Sequence, residues 1–172
     1  MEDSKELVSG NNFSYKGDIR KELINFEQEL KNVDGAFVGD NEACPLKHSF
    51  SDGMYVREIF IPKGMVVVGK IHKHQHPNFL MKGTVDVVTE EGVERLVGPT
   101  SMISKAGTKR ALRAITDLTW VTVHSNPTNT RDLEKLEKLV IAENYEGYEK
   151  FVALKGNWKT KIKGKIIKFL SE

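Results

Sequence analysis

The feature that most limits how this chain can fold is a series of short segments, rich in β-branched and aromatic residues, between residues 54 and 124. Turn-forming sequences such as Pro62-Lys63-Gly64 separate them, at intervals of about 8–12 residues. This spacing is typical of an antiparallel sandwich or barrel. Strands and helices do not alternate along this segment, so a parallel sheet is not predicted. The sequence therefore predicts a mainly β domain, with six or seven strands in the runs MYVREIFI, MVVVGKIH, TVDVVTEEGVERLV (a hairpin turning at Glu91-Gly92), SMIS, RALRAI and LTWVTVH.

Apolar residues at helical spacing flank the β-rich segment on both sides. Steps of four and three from Ile19 to Val33 predict an amphipathic helix of about four turns that ends at Gly35. Its apolar stripe is expected to pack either on the body of the domain or on a second subunit. After Pro127, the run NTRDLEKLEKLVIAENY predicts a second helix, whose N-cap is Thr128, Asn129 or Thr130.

These patterns predict one domain in three parts. Residues 1–50 hold a polar segment and the amphipathic helix, residues 51–126 hold the β-barrel, and residues 127–172 hold the C-terminal helix and a lysine-rich tail. In the tail, lysines alternate with Trp158, Ile162, Ile166 and Phe169, which is typical of a solvated amphipathic segment.

Composition narrows the classes of partner. A chain of 172 residues can bury one full core, and its net charge of +2 predicts neither specific nucleic-acid binding nor attraction to a membrane. The single cysteine, Cys44, excludes an internal disulfide and is expected to be a buried thiol. No apolar run approaches the ~18–20 residues that span a bilayer, and the first residues are polar. We therefore expect a cytoplasmic protein.

Three of the five histidines lie within five positions, in GKIHKHQH. Side chains two or four apart share one face of a strand, so His72, His74 and His76 could converge if the strand continued. Pro77 is expected to end it near His74, which makes the outer pair the better candidates. A metal site needs ligands from elsewhere too, and His124, at the end of TWVTVH, is placed to supply one. Imidazole ligands suit Zn, Fe, Mn, Ni or Cu. The alternative is a set of polar side chains at a barrel mouth, bound to water; the isolated His48 is expected to pack or hydrogen-bond.

At these residues the segment from Met54 to Asn126 resembles the cupins, a superfamily of small jelly-roll barrels. Their first motif has a His-x-His pair, a Glu four residues beyond the second His, and a Gly seven residues beyond that Glu. Anchored on Gly83, the resemblance aligns His76 with the glutamate, His72 with the second histidine and Lys70 with the first.

The second cupin motif, Pro-x-Gly-x-x-His, is similar to KAGTKR, in which Gly107 is kept and Arg110 replaces the metal-binding histidine. The resemblance thus implies a jelly roll whose usual ligand set is altered. His72 is carried over unchanged, His76 offers nitrogen instead of a carboxylate, and His124 lies outside both motifs. A metal site of these three histidines stays chemically sound and is more neutral than the usual one.

Residues 40–145 also resemble a group of small cupins encoded by bacteriophages, through the run CPLKHSFSDGMYVREIFIPKGMVVVGKIHKHQH followed by AGTKR, TWVTVH and DLEKLE. Those proteins typically have a Lys-Ile-His-x-x-x-His core with Glu before the last histidine, where this chain has Gln75. A phage-encoded protein would act in the host cytoplasm.

The same resemblance implies that Lys70 and Arg110 point into the barrel. Buried cations need a counter-charge, either an internal acid such as Glu58 or Asp86, or an anionic ligand with a carboxylate or phosphate. By the two-residue period, Trp120 shares a face with His124, where it would be a wall of the ligand site or plain core. His74 is a further candidate for ligand binding, and Lys109 is expected in an exposed turn.

Three functions agree with this sequence. The first is a metal-dependent enzyme that acts on a small anionic substrate. The second is a binding protein without catalysis that captures a nucleotide or sugar phosphate, for example a phage protein that sequesters a host signal. The third is a structural role, in which the N-terminal helix joins two subunits. A homodimer is compatible with all three.

Overall fold

The computed structural model describes residues 18–156, and within them the β-rich segment forms short antiparallel strands in two larger sheets and one small one. The five-stranded sheet has the order β1 (Leu46–Ser51), β2 (Met54–Ile61), β10 (Leu118–Ser125), β5 (His76–Lys82) and β8 (Thr100–Ser104). The four-stranded sheet has the order β3 (Val66–Val68), β9 (Ala111–Ala114), β6 (Thr84–Thr89) and β7 (Gly92–Val97). The two-stranded sheet pairs β4 (Ile71–His72) with β11 (Ile141–Ala142).

The core lies between the two larger sheets. Leu80 and Leu118 contribute from the five-stranded sheet, and Val85 and Leu112 from the four-stranded sheet. Alternate residues point inward along β5 and β10, as their patterns of burial show. The fold is therefore the mainly β jelly roll that the resemblance to cupins implies.

Several strands match the sequence prediction and others do not. The hairpin predicted at Glu91-Gly92 is confirmed, with Thr89 paired to Gly92. Pro77 does not end a strand, because β5 begins at His76 and Pro77 pairs with Ile103. Proline is tolerated there, next to the first residue of the strand.

Two further differences concern where strands begin and end. The run MVVVGKIH is divided into β3, which pairs with β9, and β4, which pairs with β11. The N–H of Gly69 still donates to the carbonyl of Arg110, in register with β3 and β9, and the chain leaves this sheet at residue 70. β1 begins at Leu46, whereas the β-barrel was predicted to begin at residue 51, and β1 pairs along its whole length with β2. Its sequence, LKHSFS, has few apolar residues, so the β pattern is weak at this edge of the sheet.

The predicted N-terminal helix is confirmed as α1 (Ile19–Lys31), which begins after the capping residue Asp18. It ends at Lys31, before the predicted end at Gly35, so Val33 lies beyond the helix. The predicted apolar stripe is only partly covered, because Leu23 is buried while Phe26 and Val33 are 39% and 57% exposed. Polar contacts attach the helix to the barrel: Arg20 forms an ion pair of 2.7 Å with Glu90, and Glu27 forms one of 3.1 Å with Lys109.

The position of Lys109, the partner of Glu27, differs from the one predicted. Lys109 was expected in an exposed turn, but only 4% of it is exposed. Its Nζ donates to the carbonyl of Gly69 at 3.1 Å and pairs with Glu27 on α1. A cation is tolerated in this buried position because both partners are present.

The C-terminal region forms two helices instead of the one long helix predicted. α2 (Leu133–Val140) begins at Asp132, whose side chain accepts from the N–H of Lys135, so the predicted caps at residues 128–130 are wrong. It ends where β11 pairs with β4, and residues 145–156 form a further helix, α3. The lysine-rich tail lies beyond the described residues. None of the helices described here has the length and apolar character needed to cross a membrane.

Gly83, the glycine that anchors the first cupin motif, should resist substitution. Its φ is +96°, and a Cβ there would lie 2.6 Å from the Cβ of Leu118 and would also meet the carbonyl of Asp117. We expect Gly83→Ala to lower the free energy of unfolding by about 3 kcal/mol, from left-handed strain and overpacking together. Urea unfolding measures this loss.

Gly92→Ala is the matched control, because Gly92 also has a positive φ (+120°) but no atom within 4 Å of the added Cβ. This variant should lose only the share that comes from strain, ~1–2 kcal/mol. Equal losses for the two variants would contradict the close packing around Gly83.

Candidate metal centre

Three histidines meet inside the barrel, each from a different strand. His72 ends β4, His76 begins β5 and His124 lies near the end of β10. Their ring centroids are 4.1 Å apart for His72 and His76, 4.9 Å for His72 and His124, and 4.7 Å for His76 and His124. One ring nitrogen from each lies within 4.8 Å of the others. The spacing alone suggested one continuous strand, but the chain turns between β4 and β5. This turn allows His72 and His76 to approach each other from two different strands.

The interior keeps these imidazoles neutral. Burial, together with the positive charges of nearby histidines and arginines, lowers the pKa of His72 to about 2. Burial likewise lowers the pKa of His124 to about 3. The pKa of His76 is also lowered by burial, although its hydrogen bond to the carbonyl of His74 opposes the change. Neutral imidazole is the form that binds a metal ion, so the three rings are in the coordinating state at neutral pH.

Hydrogen bonding selects the tautomer of His76. Its Nδ1 lies 3.1 Å from the carbonyl oxygen of His74, which can only accept, so Nδ1 carries the proton. The lone pair is therefore on Nε2. A backbone carbonyl that orients a ring in this way is the usual outer-shell support of a metal-binding histidine.

Nδ1 of His72, unlike Nδ1 of His76, lacks a hydrogen bond within the described residues. This nitrogen is buried. A buried polar atom left unpaired costs ~1–3 kcal/mol, and a coordinated ion is one way to remove that cost. The site offers three neutral imidazoles as nitrogen ligands, and one of them, His72, has a buried nitrogen without a hydrogen bond in the described chain. These residues fit a divalent transition metal that is borderline between hard and soft.

The backbone around His72 is held from two sides. Its strand pairs with β11, where Ile141 lies opposite His72. The carbonyl of His72 accepts from the N–H of Gly107 at 2.8 Å, and the N–H of Lys73 donates to the carbonyl of Val140 at 2.8 Å. Residues distant in sequence therefore position this ligand.

His124 is supported by an aromatic layer. The ring of Tyr55 stacks on it with centroids 6.0 Å apart, and the hydroxyl of Tyr55 forms a hydrogen bond of 2.7 Å with Nδ1 of His48. The expectation that His48 packs or hydrogen-bonds is confirmed. The expected burial of Cys44 is confirmed too, and burial raises the pKa of its thiol.

Arg110 points toward the histidines, as the sequence predicted. Its charge lowers the pKa of His72 and of His76, and its Nη2 donates to the hydroxyl oxygen of Ser104. Its Cζ lies 5.8 Å from the centre of the Trp120 ring. Trp120 is 4% exposed and belongs to the core cluster, so it serves at once as core and as a wall beside Arg110.

Two predicted ligand-binding residues lie away from the triad. Lys70 was expected inside the barrel, but its side chain is 47% exposed and pairs with Glu137 on α2. The chain leaves the strand at residues 69 and 70, so the alternation that would have turned Lys70 inward does not apply. His74 contacts the ring of Phe151 on α3 edge-on at 5.1 Å, and only its backbone carbonyl reaches the triad.

Neither of the acids suggested as counter-charges forms an ion pair with Arg110. Asp86 forms two hydrogen bonds with Arg95, of 2.6 and 2.8 Å, on the four-stranded sheet. Glu58 lies opposite Lys47 and Val121 on the adjacent strands. Within the described chain, Arg110 forms no ion pair with a carboxylate.

The sequence reading missed Arg57, on β2. This residue is partly buried, lies opposite Thr122 on β10, and its charge lowers the pKa of both His72 and His124. The signal was present in MYVREIFI, since the two-residue period puts Arg57 on the same strand face as Tyr55 and Ile61, both buried. An arginine at an inward position of a strand is a candidate for ligand binding.

No family model matches the sequence, and no curated protein matches it. Solved structures do match the fold, at low identity. Ectoine synthase from P. lautus has a TM-score of 0.47 and 14% identity, covering 64% of this chain and 82% of that one. KdgF from Halomonas sp. has a TM-score of 0.46 and 15% identity, covering 60% and 95%, and the Cnp3 cupin domain from Schizosaccharomyces pombe has 0.45 and 14%, covering 62% and 78%.

The likeness concerns the fold alone. The resemblance to phage-encoded cupins, the homodimer and the cytoplasmic location stay predictions.

The lowered histidine pKa values should make the metal-free protein less stable in acid. An unfolded histidine takes up a proton at its ordinary pKa of about 6.5, whereas His72 and His124 in the folded state do so only at about 2 and about 3. Below about pH 6.5 the unfolded state therefore binds more protons. Each of the two histidines then removes about 1.4 kcal/mol of unfolding free energy per pH unit.

Urea unfolding in the presence of a chelator, from about pH 7 to about pH 5, covers this window before most carboxylates titrate. His124→Gln removes one of these groups and should lower the slope by about 1.4 kcal/mol per pH unit, while the contributions of His72 and His76 remain. An unfolding free energy that stays constant across the window would contradict the burial of neutral imidazoles.

Proposed function

We propose that the barrel binds a divalent transition metal, Zn, Fe, Mn or Ni, through His72, His76 and His124, together with a small anionic ligand. The observation that carries the proposal is the convergence of three neutral imidazoles from three strands, with nitrogens within 4.8 Å of one another. Two imidazoles that share an ion at about 2.1 Å have nitrogens no more than about 4.2 Å apart. Small ring movements are therefore enough to bring the triad around an ion.

The anionic ligand follows from the charges around the triad. A divalent ion held by neutral nitrogens keeps its full charge, and Arg110 adds another positive charge nearby. Among the described residues, the ion pairs all lie outside this cluster. An uncompensated group of cations in a protein interior is unfavourable, so an anion with carboxylate or phosphate oxygens is the partner that the site favours.

The role of each residue follows from its position. The three histidines would hold the ion, and the carbonyl of His74 would keep Nε2 of His76 available to it. Arg110 would orient the anion and is itself held by Ser104. A bound divalent ion supplies a Lewis-acid position for an oxygen of the ligand.

A second candidate function is capture of a small molecule such as a nucleotide or sugar phosphate, without catalysis. What favours it is that none of the carboxylates described forms an ion pair or hydrogen bond with a triad histidine, so a general base is not evident. A ligand that co-purifies unchanged, identified by mass spectrometry, supports capture. Recovery of a product from added ligand supports the enzyme.

Metal content measured on protein purified without an affinity tag tests the proposed site. After treatment with a chelator and dialysis against one metal at a time, we expect the wild-type protein to retain a stoichiometric amount. His72→Ala and His124→Ala each remove one of three ligands. Each should therefore lower metal affinity by more than the ~10–100-fold that loss of an outer-shell partner costs.

His74→Ala is the matched control, because the triad uses only the backbone carbonyl of that residue. It should keep the wild-type metal content. Circular dichroism and thermal unfolding in chelator establish that each variant is folded. Equal metal content in the wild type and in the His72 and His124 variants would contradict the proposed metal site.

A further inference from the structure

Two arginines beside the triad, Arg57 and Arg110, are partly buried without an acidic partner, whereas the other arginines described are either paired or exposed. Arg20 pairs with Glu90, and Arg95 pairs with Asp86 through two hydrogen bonds. In contrast, neither Arg57 nor Arg110 is within ion-pair distance of any carboxylate between residues 18 and 156. Both are partly buried.

Arg110 is held by a buried chain of hydrogen bonds. Nε1 of Trp120 donates to Oδ1 of Asn78 at 3.0 Å, and Nδ2 of Asn78 donates to the hydroxyl oxygen of Ser104 at 2.6 Å. Nη2 of Arg110 donates to the same oxygen. That oxygen thus accepts two hydrogen bonds, which occupies both of its lone pairs.

The hydroxyl hydrogen of Ser104 is therefore free to donate, and Ser104 is only 5% exposed. No acceptor for it is present in the part of the chain that the structure covers. A buried hydroxyl donor next to a guanidinium is a suitable arrangement for the oxygens of an anion.

Arg57 reaches the triad from another strand. Its backbone carbonyl accepts from the hydroxyl of Thr122 on β10, two residues before His124. On the same face of β2, Tyr55 stacks on His124. Arg57 therefore lies beside His124, on β2, whereas Arg110 bonds to Ser104, which pairs with His76.

Carboxylates that act on Arg57 from a distance are already engaged. The charges of Glu137 and Asp40 raise its pKa, although burial lowers it more. Glu137 pairs with Lys70, and Asp40 accepts from the N–H of Leu46 at 3.0 Å. The positive charge of Arg57 is thus left for a bound group to neutralise.

We propose that Arg57, Arg110 and Ser104 form a subsite for a small dianion, either a dicarboxylate or a phosphate monoester, inside the barrel. This deepens the proposed function and rests on its anionic ligand. Two uncompensated guanidinium groups require two negative charges, so a dianion matches the site better than a monoanion. Arginine binds both carboxylate and phosphate through paired hydrogen bonds, so the two sources of the dianion share one chemistry.

Isothermal titration calorimetry with four-carbon acids tests the charge requirement. We expect succinate to bind metal-free protein at least ~10-fold more tightly than butyrate, which has one carboxylate, since a hydrogen bond to a charged group contributes that much or more. Glycerol phosphate and succinate, compared on one preparation, distinguish a phosphate ligand from a dicarboxylate. Equal affinity for succinate, glycerol phosphate and butyrate would overturn the proposal.

Arg57→Met and Arg110→Met should each lower dianion affinity by about 10–100-fold. Arg113→Met, an exposed arginine on β9, is the matched control and should bind like the wild type. Without added anion, the two barrel variants should unfold at the same temperature as the wild type or higher, because each removes an unpaired charge. A lower unfolding temperature, with unchanged dianion binding, would mean a structural role and would overturn the subsite.

Metal analysis of the same samples separates this inference from the proposed function. Dianion binding by protein that takes up no metal would support the subsite and contradict the proposed metal site. Normal metal uptake with butyrate binding as tightly as succinate overturns the subsite, while leaving the proposed metal and a monoanionic ligand in place.

Discussion

The pairing of β10 with β2 on one side and β5 on the other is the interaction on which the site depends. It brings His124 between Tyr55 on β2 and His76 on β5. The same register places Arg57 opposite Thr122. A shift of one residue in either ladder would turn the side chains of the shifted strand to the outer face and separate them from the others, because the side-chain period of a strand is two. The backbone ladder therefore determines the chemistry.

Electrostatics explains how a site without a carboxylate can exist here. Imidazoles can be buried in their neutral form, whereas a carboxylate would need a partner or a raised pKa. Burial lowers the pKa of His72 and of His124, and the two nearby arginines favour the same neutral state. The arginines cannot lose their charge in this way. The interior is consequently poor in negative charge, and its affinity should be for ligands that bring their own.

Much of this could be predicted from sequence. The antiparallel β domain follows from the spacing of short β segments, the jelly roll from the resemblance to cupins, and the triad from histidines near strand ends. The inward position of Lys70 failed because it was carried over from the cupin motif, whereas here residue 70 lies between β3 and β4 and its side chain pairs with Glu137 on α2. The end of α2 was also missed, since local propensity in LEKLVIAENY favours helix while pairing with β4 favours an extended chain. Both failures come from contacts between residues far apart in sequence.

The pairing of β11 with β4 has a consequence for how such a protein could evolve. One of the ligand histidines sits on a two-residue strand whose neighbour comes from beyond the barrel, after α2. Drift in that appendage would change how the proposed metal site is arranged without altering any of its three histidines. Lineages could therefore change this site through substitutions at Ile141 and Ala142, and comparisons restricted to the barrel motifs would overlook the change.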